Sequence, residues 1–285
     1  MSSDPARAAV PALAYGIDSN YPLPLAVSLR SVLEHWRGGP LDVFVVESGV
    51  SDNDKARVEA SLPETEGLRL RWIPVNQDEV QGLSAGLHFS SANYFRLLLP
   101  NLLPGLDRVL YLDADTIALA DVSRLLALFD DRFDAQACQD YTGTISNPLI
   151  RLPNHAAFGL PADALYFNTG VLLMNLRAWR ERGIADEVRA LGRRNPETTF
   201  LADQTPINIV LQGRIGMLPP EWNAQTIHPK VLDGSWGLPY VAQNIDTGKI
   251  RHFTSEYKPW TLGRELPGAA LFRAVKARTA WAQDA

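Results

Sequence analysis

Residues 108–119, "RVLYLDADTIAL", hold an apolar run that ends in two acids one residue apart, Asp113 and Asp115, and then turns apolar again. Val109, Leu110, Tyr111 and Leu112 read as a short strand covered on both faces, as in a parallel sheet. Both carboxylates therefore emerge where that strand leaves the sheet. Like charges a few Å apart repel, and burying either one alone is costly. Two arrangements satisfy this constraint. Asp115 caps a following helical segment while Asp113 finds a lysine or a backbone amide, or a divalent cation joins the two.

On the N-terminal side, strands and helices alternate at the spacing of a doubly wound sheet. "PALAYGI" (11–17), "LDVFVVES" (41–48) and "LRLRWIPV" (68–75) read as strands. "PLAVSLRSVLEHW" (24–36), "SDNDKARVEASL" (51–62) and "SANYFRLLLPNLL" (91–103) read as helices. The fold class this predicts is α/β, with a Rossmann-like, mostly parallel central sheet flanked by helices. In such sheets ligands sit beyond the carboxyl ends of the strands. Asp18 and Asn20 follow the first strand as Asp113 and Asp115 follow the fourth, so both pairs are expected to face one crevice.

On the C-terminal side the pattern loosens. Residues 141–163 are polar and rich in Gly and Pro, and read as a long binding loop or lid. Regular elements return at "LYFNTGVLLMNL" (165–176), in the helix of 177–194, and in "FLADQTPINIVLQ" (200–212), where Asp203 begins a helix. The last quarter is irregular and carries Trp222, Trp236, Trp260 and Trp281. Residues 268–283 read as a terminal helix, packed on the body or touching a membrane surface.

The 285 residues are 46% hydrophobic and 21% charged, enough to bury a sizeable core. A net charge of -5 without a long basic block argues against nucleic acid as a partner. The single Cys138 cannot form an intramolecular disulfide or a thiolate zinc site, which fits a reducing cytoplasm. The first residues lack the apolar run of a secretory signal, and no run of about 18 apolar residues offers a membrane span. A cytoplasmic chain is expected.

If a cation joins the two acids, oxygen ligands suit a hard ion, and an added imidazole favours Mn²⁺ over Mg²⁺. Of the five histidines, His35 lies on a helix face, and His88, His155 and His228 lie in loops. His252 is the candidate ligand, because it ends an apolar stretch and is followed by Lys258.

At these residues the chain resembles glycosyltransferase family 8, the retaining GT-A enzymes that include glycogenin and bacterial lipooligosaccharide α-galactosyltransferases. The resemblance runs in order through "IDSNYPLPLAVSLRSVL", "YFRLLLPNLLPGLDRVLYLDADTIAL", "YFNTGVLLMNLRAWR", "ADQTPINIVL", "EWN" and "HFTSEYKPW". It implies a GT-A catalytic domain over 1–262 and a helical tail over 263–285. It also implies transfer of a glucose or galactose unit from UDP-glucose or UDP-galactose to a glycan, lipooligosaccharide or other hydroxyl acceptor.

Carried over by position, the resemblance places Asp18, Asn20 and Tyr21 at the nucleotide, with the bland alternative of a helix N-terminal turn. It makes Asp113, Asp115 and His252 the metal ligands, with Ala114 lying along the nucleotide. Arg96 is implied at the donor sugar and phosphate, Lys258 at the diphosphate. Asn168, Asp203 and Gln204 are implied around the donor sugar, and Asp140 on the acceptor side. The implied cofactor is Mn²⁺, with Mg²⁺ as the alternative. Two departures stand out: Ser255 replaces a glycine that lets backbone approach phosphate, and Thr205 replaces an acid.

Retention through a double displacement needs a carboxylate nucleophile, and Gln204 is a poor one. Front-face attack is therefore expected, with Asp203 as the alternative nucleophile. Residues 141–165 and 253–262 are expected to order over bound donor. Three other readings compete. Dehalogenase-type phosphatases end a strand in a similar D-x-D but need a later acid cluster. Sugar nucleotidyltransferases want a glycine-rich basic loop that "GIDSNYPLP" lacks. A non-catalytic UDP-sugar binding protein is the alternative from outside the enzymes.

Overall fold

Apolar residues on every strand position, not alternating with polar ones, require cover on both faces of a sheet. The computed structural model describes residues 10–76, 90–243, 247–254, 257–261 and 267–284. Its first half is β1 (Ala12–Asp18), α1 (Pro22–His35), β2 (Leu41–Ser48), α2 (Asp52–Ala60) and β3 (Leu68–Pro74). A 3-10 helix (Ser91–Leu98) runs into α3 (Leu99–Leu102), then come β4 (Val109–Leu112), β5 (Thr116–Ala118), α4 (Ser123–Leu126) and β6 (Ala135–Thr144). β7 (Leu165–Met174), α5 (Leu176–Arg182), α6 (Ile184–Arg194), α7 (Gln204–Val210) and β8 (Ile215–Met217) follow. β9 (Ala224–Gln225), α8 (Pro229–Leu232), β10 (Ile250–His252) and α9 (Ala269–Lys276) complete the described elements.

Among the described residues a seven-stranded sheet has the order β3-β2-β1-β4-β7-β6-β8. The pairs from β3 through β4 are parallel, as is β6 with β8, while β7 runs antiparallel to both neighbours. Alternate residues of one strand feed opposite cores, because successive side chains of a strand point to opposite faces. Ala14, Val109 and Tyr111 pack with Phe95, Trp179 and Ile207 on one side. Leu13, Tyr15, Leu110 and Leu112 pack with Leu25, Leu29 and Val43 on the other.

A smaller sheet, β5-β10-β9, stands beside the first. Its pairing of His252 with Thr116 and with Gln225 fixes the late part of the chain against the turn that follows β4.

The helix expected over 91–103 is a 3-10 helix over Ser91–Leu98, and Pro100 accounts for its last turn. An α-helix through Arg96 needs an N–H from residue 100, and proline has none. The Arg96 carbonyl accepts instead from Leu99 N–H, three residues on. Residues 141–163 do not form an open loop either. β6 takes in Tyr141 to Thr144, and Ile145, Ile150, Leu152 and Leu160 form a small core with Ala164 and Tyr166.

The terminal segment is helical over Ala269–Lys276 and packs Phe272 and Val275 against Val27, Ile117 and Phe253. Arg278 pairs with Glu34 at 2.6 Å on α1. The expected division at 262/263 lies outside the described residues, as do Ser255, Glu256 and His88. No helix among the described residues is long and apolar enough to cross a membrane.

Candidate active site and metal centre

β4 ends at Leu112, and the chain turns through Asp113, Ala114 and Asp115 before β5. A strand follows Asp115, so the capping arrangement for this acid does not occur. The turn is clamped from two sides. Asp113 N–H donates to the Gly170 carbonyl at 2.8 Å, and Phe253 N–H donates to the Asp115 carbonyl at 3.0 Å. β10 presents His252 from the opposite edge, with its Nε2 3.2 Å from Asp115 Oδ1 and 3.6 Å from Asp113 Oδ2. One ligand atom from each of Asp113, Asp115 and His252 lies within 4.8 Å of the others.

Two oxygens and an imidazole nitrogen at this spacing are a donor set that could hold a divalent metal ion. Two further observations agree. Asp115 Oδ1 is buried without a hydrogen-bond partner among the described residues. Gly170 leaves open the ground between the ligands: a Cβ there would stand 2.1 Å from His252 Cε1 and 2.6 Å from Asp113 Oδ2.

Lys258 places its Nζ 2.6 Å from Asp115 Oδ2, on the same acid. Burial pushes the Asp115 carboxyl up, but Lys258 and His252 outweigh it and hold the group well below the usual carboxylate range. Ala114 buries its methyl in the core, so only its backbone faces outward.

Asp18 closes β1 beside this turn. Its Oδ1 accepts Asn20 N–H at 2.8 Å, and Ser90 Oγ donates to Oδ2. Ser90 Oγ in turn accepts Ala92 N–H at 3.1 Å, so one hydroxyl ties Asp18 to the start of the 3-10 helix. Asn20 is exposed. Tyr21 opens α1 without a side-chain cap, which leaves its ring edge-on to Trp260 at 5.8 Å. Burial, then the charges of Asp115, Asp113 and Asp18, raise the Tyr21 phenol.

Arg96 is 2% exposed and joins the metal acids to a second group. Its Nη2 lies 3.2 Å from Asp113 Oδ1 and its Nε 2.9 Å from Asp203 Oδ2, while the guanidinium stacks on Tyr111 at 4.4 Å. Burial alone would push the guanidinium down, yet Asp113 and Asp203 move it up on balance. Arg96 thus bridges Asp113 and Asp203. The Nε hydrogen is aimed at the Asn93 carbonyl at 3.0 Å, so Asp203 Oδ2 has the charge nearby but no hydrogen bond. Desolvation outweighs Arg96, and the Asp203 carboxyl is pushed up to about 7. Ala202, just before it, has φ 52°, a left-handed backbone that an alanine adopts only under constraint.

Asp140 is buried and accepts four hydrogen bonds. Thr142 N–H and Oγ1–H reach Oδ1, both at 2.9 Å. Asn168 Nδ2 and Gln204 Nε2 reach Oδ2 at 3.0 and 3.1 Å. Gln204 Oε1 accepts Thr169 N–H at 3.1 Å. Asp140, expected on the acceptor side, thus anchors the amides of Asn168 and Gln204. Thr205, the other departure, points inward and bonds the Tyr166 hydroxyl at 2.7 Å.

Sequence reading gave no role to Gly170, Asn223, Ser90 or Thr169. "FNTG" and "EWN" are visible signals, but nothing in one sequence says that Asn223 Oδ1 meets His252 Nδ1 at 3.0 Å. His228, away from the ligands, stacks on Trp236 at 4.2 Å.

The family model of glycosyl transferase family 8 matches residues 12–262. The chain is 28% identical over 273 residues to a lipopolysaccharide 1,2-glucosyltransferase of Escherichia coli K12, covering 95% of this chain and 79% of that protein. It is 26% identical to a lipopolysaccharide 1,3-galactosyltransferase of Salmonella typhimurium, covering 96% and 80% of the two chains. Its fold superposes on the galactosyltransferase LgtC, solved with donor and acceptor sugar analogs, at a TM-score of 0.76 and 23% identity, covering 94% and 96% of the two chains.

Proposed function

We propose, from the premise that this chain belongs to glycosyl transferase family 8, that it moves a hexose from a UDP-sugar to a hydroxyl acceptor with retention of anomeric configuration. The donor in this reading is UDP-glucose or UDP-galactose, and the acceptor a glycan, lipooligosaccharide or other glycoconjugate. The observation that carries it is the convergence of Asp113, Asp115 and His252, linked through Asp113 to the Arg96–Asp203 pair. The names of the relatives, which act on lipopolysaccharide with glucose or galactose, support the sugar class.

Each side chain then has a task. Asp18 keeps lone pairs beyond those used by Asn20 and Ser90, and accepts from the uracil on which Tyr21 stacks. Asn20 reaches the ribose or phosphate. Asp113, Asp115 and His252 hold a divalent ion, Mn²⁺ or alternatively Mg²⁺, that supplies Lewis-acid stabilisation of the departing diphosphate. Lys258 adds a fixed positive charge at the same point, and the Ala114 backbone lies along the nucleotide. Asn168 and Gln204, braced by Asp140, face the donor sugar. Ser255 offers a hydroxyl near phosphate in the same proposal.

Retention runs by front-face attack in this reading. Gln204 is an amide engaged with Thr169 and Asp140, and Asp203 is buried with its carboxyl raised to about 7, so neither is a poised nucleophile. The departing phosphate takes the acceptor proton. A covalent glycosyl adduct on Asp203, sought by mass spectrometry with a slow donor, would reverse this preference. A cytoplasmic site of action, with acceptor met at a membrane surface through C-terminal residues, belongs to the same proposal.

The test is a panel of UDP-sugars with Mn²⁺, followed by UDP release and acceptor glycosylation. Turnover of UDP-glucose or UDP-galactose is expected. Tight binding of a UDP-sugar without hydrolysis or transfer would favour a binding protein instead.

A further inference from the structure

We infer that Asn223 is a positioning residue that fixes the ring of His252 in the form protonated at Nδ1, leaving Nε2 as a lone pair between Asp113 and Asp115. The value of that lone pair rests on the metal reading above, whereas the proton's location follows from the side chains alone.

The orientation of each amide is set from groups that have no choice. Gly170 N–H can only donate, and it meets Asn168 at 3.0 Å, so the atom it meets is Oδ1. The other end of Asn168 then presents Nδ2 to Asp140 Oδ2 at 3.0 Å, and a carboxylate oxygen already taking Gln204 Nε2 accepts it. The two ends agree. Asn168 Oδ1 also meets Asn223 at 2.9 Å, and an oxygen there requires a donor, so Asn223 turns its Nδ2 toward Asn168. Its Oδ1 therefore faces His252 Nδ1 at 3.0 Å. Asn223 is completely buried, so no rotation toward solvent relieves this chain.

An oxygen facing an imidazole nitrogen at that distance needs a hydrogen between them. Nδ1 accordingly carries the hydrogen of this contact. Without Asn223 the opposite form would be preferred, because Asp115 Oδ1 at 3.2 Å and Asp113 Oδ2 at 3.6 Å both draw a proton to Nε2. Asn223 thus opposes the two acids and keeps Nε2 free to ligate. Groups that orient a ligating imidazole through its other nitrogen typically change metal affinity by about 10- to 100-fold.

The decisive measurement is the nitrogen spectrum of ¹⁵N-histidine-labelled wild-type protein without metal, well above the usual imidazole titration range. His252 is assigned by its loss in His252→Gln. A protonated Nδ1 and a bare Nε2 are expected, and a proton on Nε2 overturns the inference. In Asn223→Leu, folding checked by circular dichroism, the ring should shift toward the Nε2–H form. Mn²⁺ affinity by calorimetry should weaken about 10- to 100-fold. An unchanged tautomer together with unchanged affinity removes the role from Asn223. If the leucine variant does not fold, the wild-type spectrum still decides. Failure of the wild type to bind Mn²⁺ would strike the metal reading instead, and the spectrum would still decide the tautomer.

Discussion

Gly170 and His252 stand so close that a methyl group on the glycine would lie 2.1 Å from the ring's Cε1. His252 is held by β10 pairing on both sides and by Asn223, so the ring has little room to withdraw. Gly170→Ala should therefore displace the ring and weaken Mn²⁺ binding by at least about tenfold, in line with the loss of an oriented ligand. Calorimetric titration with Mn²⁺ checks it. Undiminished affinity would mean that the cation binds elsewhere.

The acids themselves allow the sharpest test of catalysis. Asp113→Asn or Asp115→Asn should lower metal-dependent UDP-sugar turnover by at least roughly 10²-fold, the scale of losing one preorganised electrostatic group. The melting temperature should fall modestly, because each acid also pairs with a cation, Asp113 with Arg96 and Asp115 with Lys258. Full turnover by wild-type enzyme stripped with a chelator would take the metal out of the reaction.

Arg96 is expected to matter for stability before it matters for rate. Arg96→Met keeps much of the stem but leaves Asp203 and Asp113 without their shared cation in a buried setting. Removing one partner of a buried pair typically costs about 3–5 kcal/mol. Urea unfolding of the variant should show that loss, and Arg96→Met with Asp203→Asn should recover most of it. A double variant as unstable as the single one would dissociate the two residues.

Asp203 predicts a pH dependence with a definite sign. Its carboxyl is pushed up to about 7 in the folded protein, against about 3.9 in an unfolded chain. The folded state therefore holds the proton more tightly. The stability this contributes is complete below about pH 4 and is lost as pH rises through about 7, at about 1.4 kcal/mol per unit of displacement. In metal-free protein the wild type should lose urea resistance over that window relative to Asp203→Asn. Parallel curves would place the Asp203 titration elsewhere.

The sheet was legible because its central strands β1, β2 and β4 are largely apolar, and the D-x-D turn because two acids follow one of them. Other features were hidden for identifiable reasons. The tight last turn of the 3-10 helix over 91–98 depends on one missing N–H at Pro100, which hydrophobic spacing does not register. The small core under 145–160 is built from scattered Ile and Leu whose contacts are tertiary. The left-handed turn at Ala202 carries no glycine to announce it. Asn223 and Gly170 meet His252 only in the folded chain, across long stretches of sequence that give no sign of the contact.

The β5-β10-β9 sheet unites an acid turn from mid-chain with an imidazole supplied much later. A polypeptide leaving the ribosome thus shows both aspartates long before the histidine that completes their cage, and the contact closes a long loop. On the proposed metal reading, competence waits for residue 252, so a product interrupted before it is expected to keep its aspartates yet stay inert toward donor.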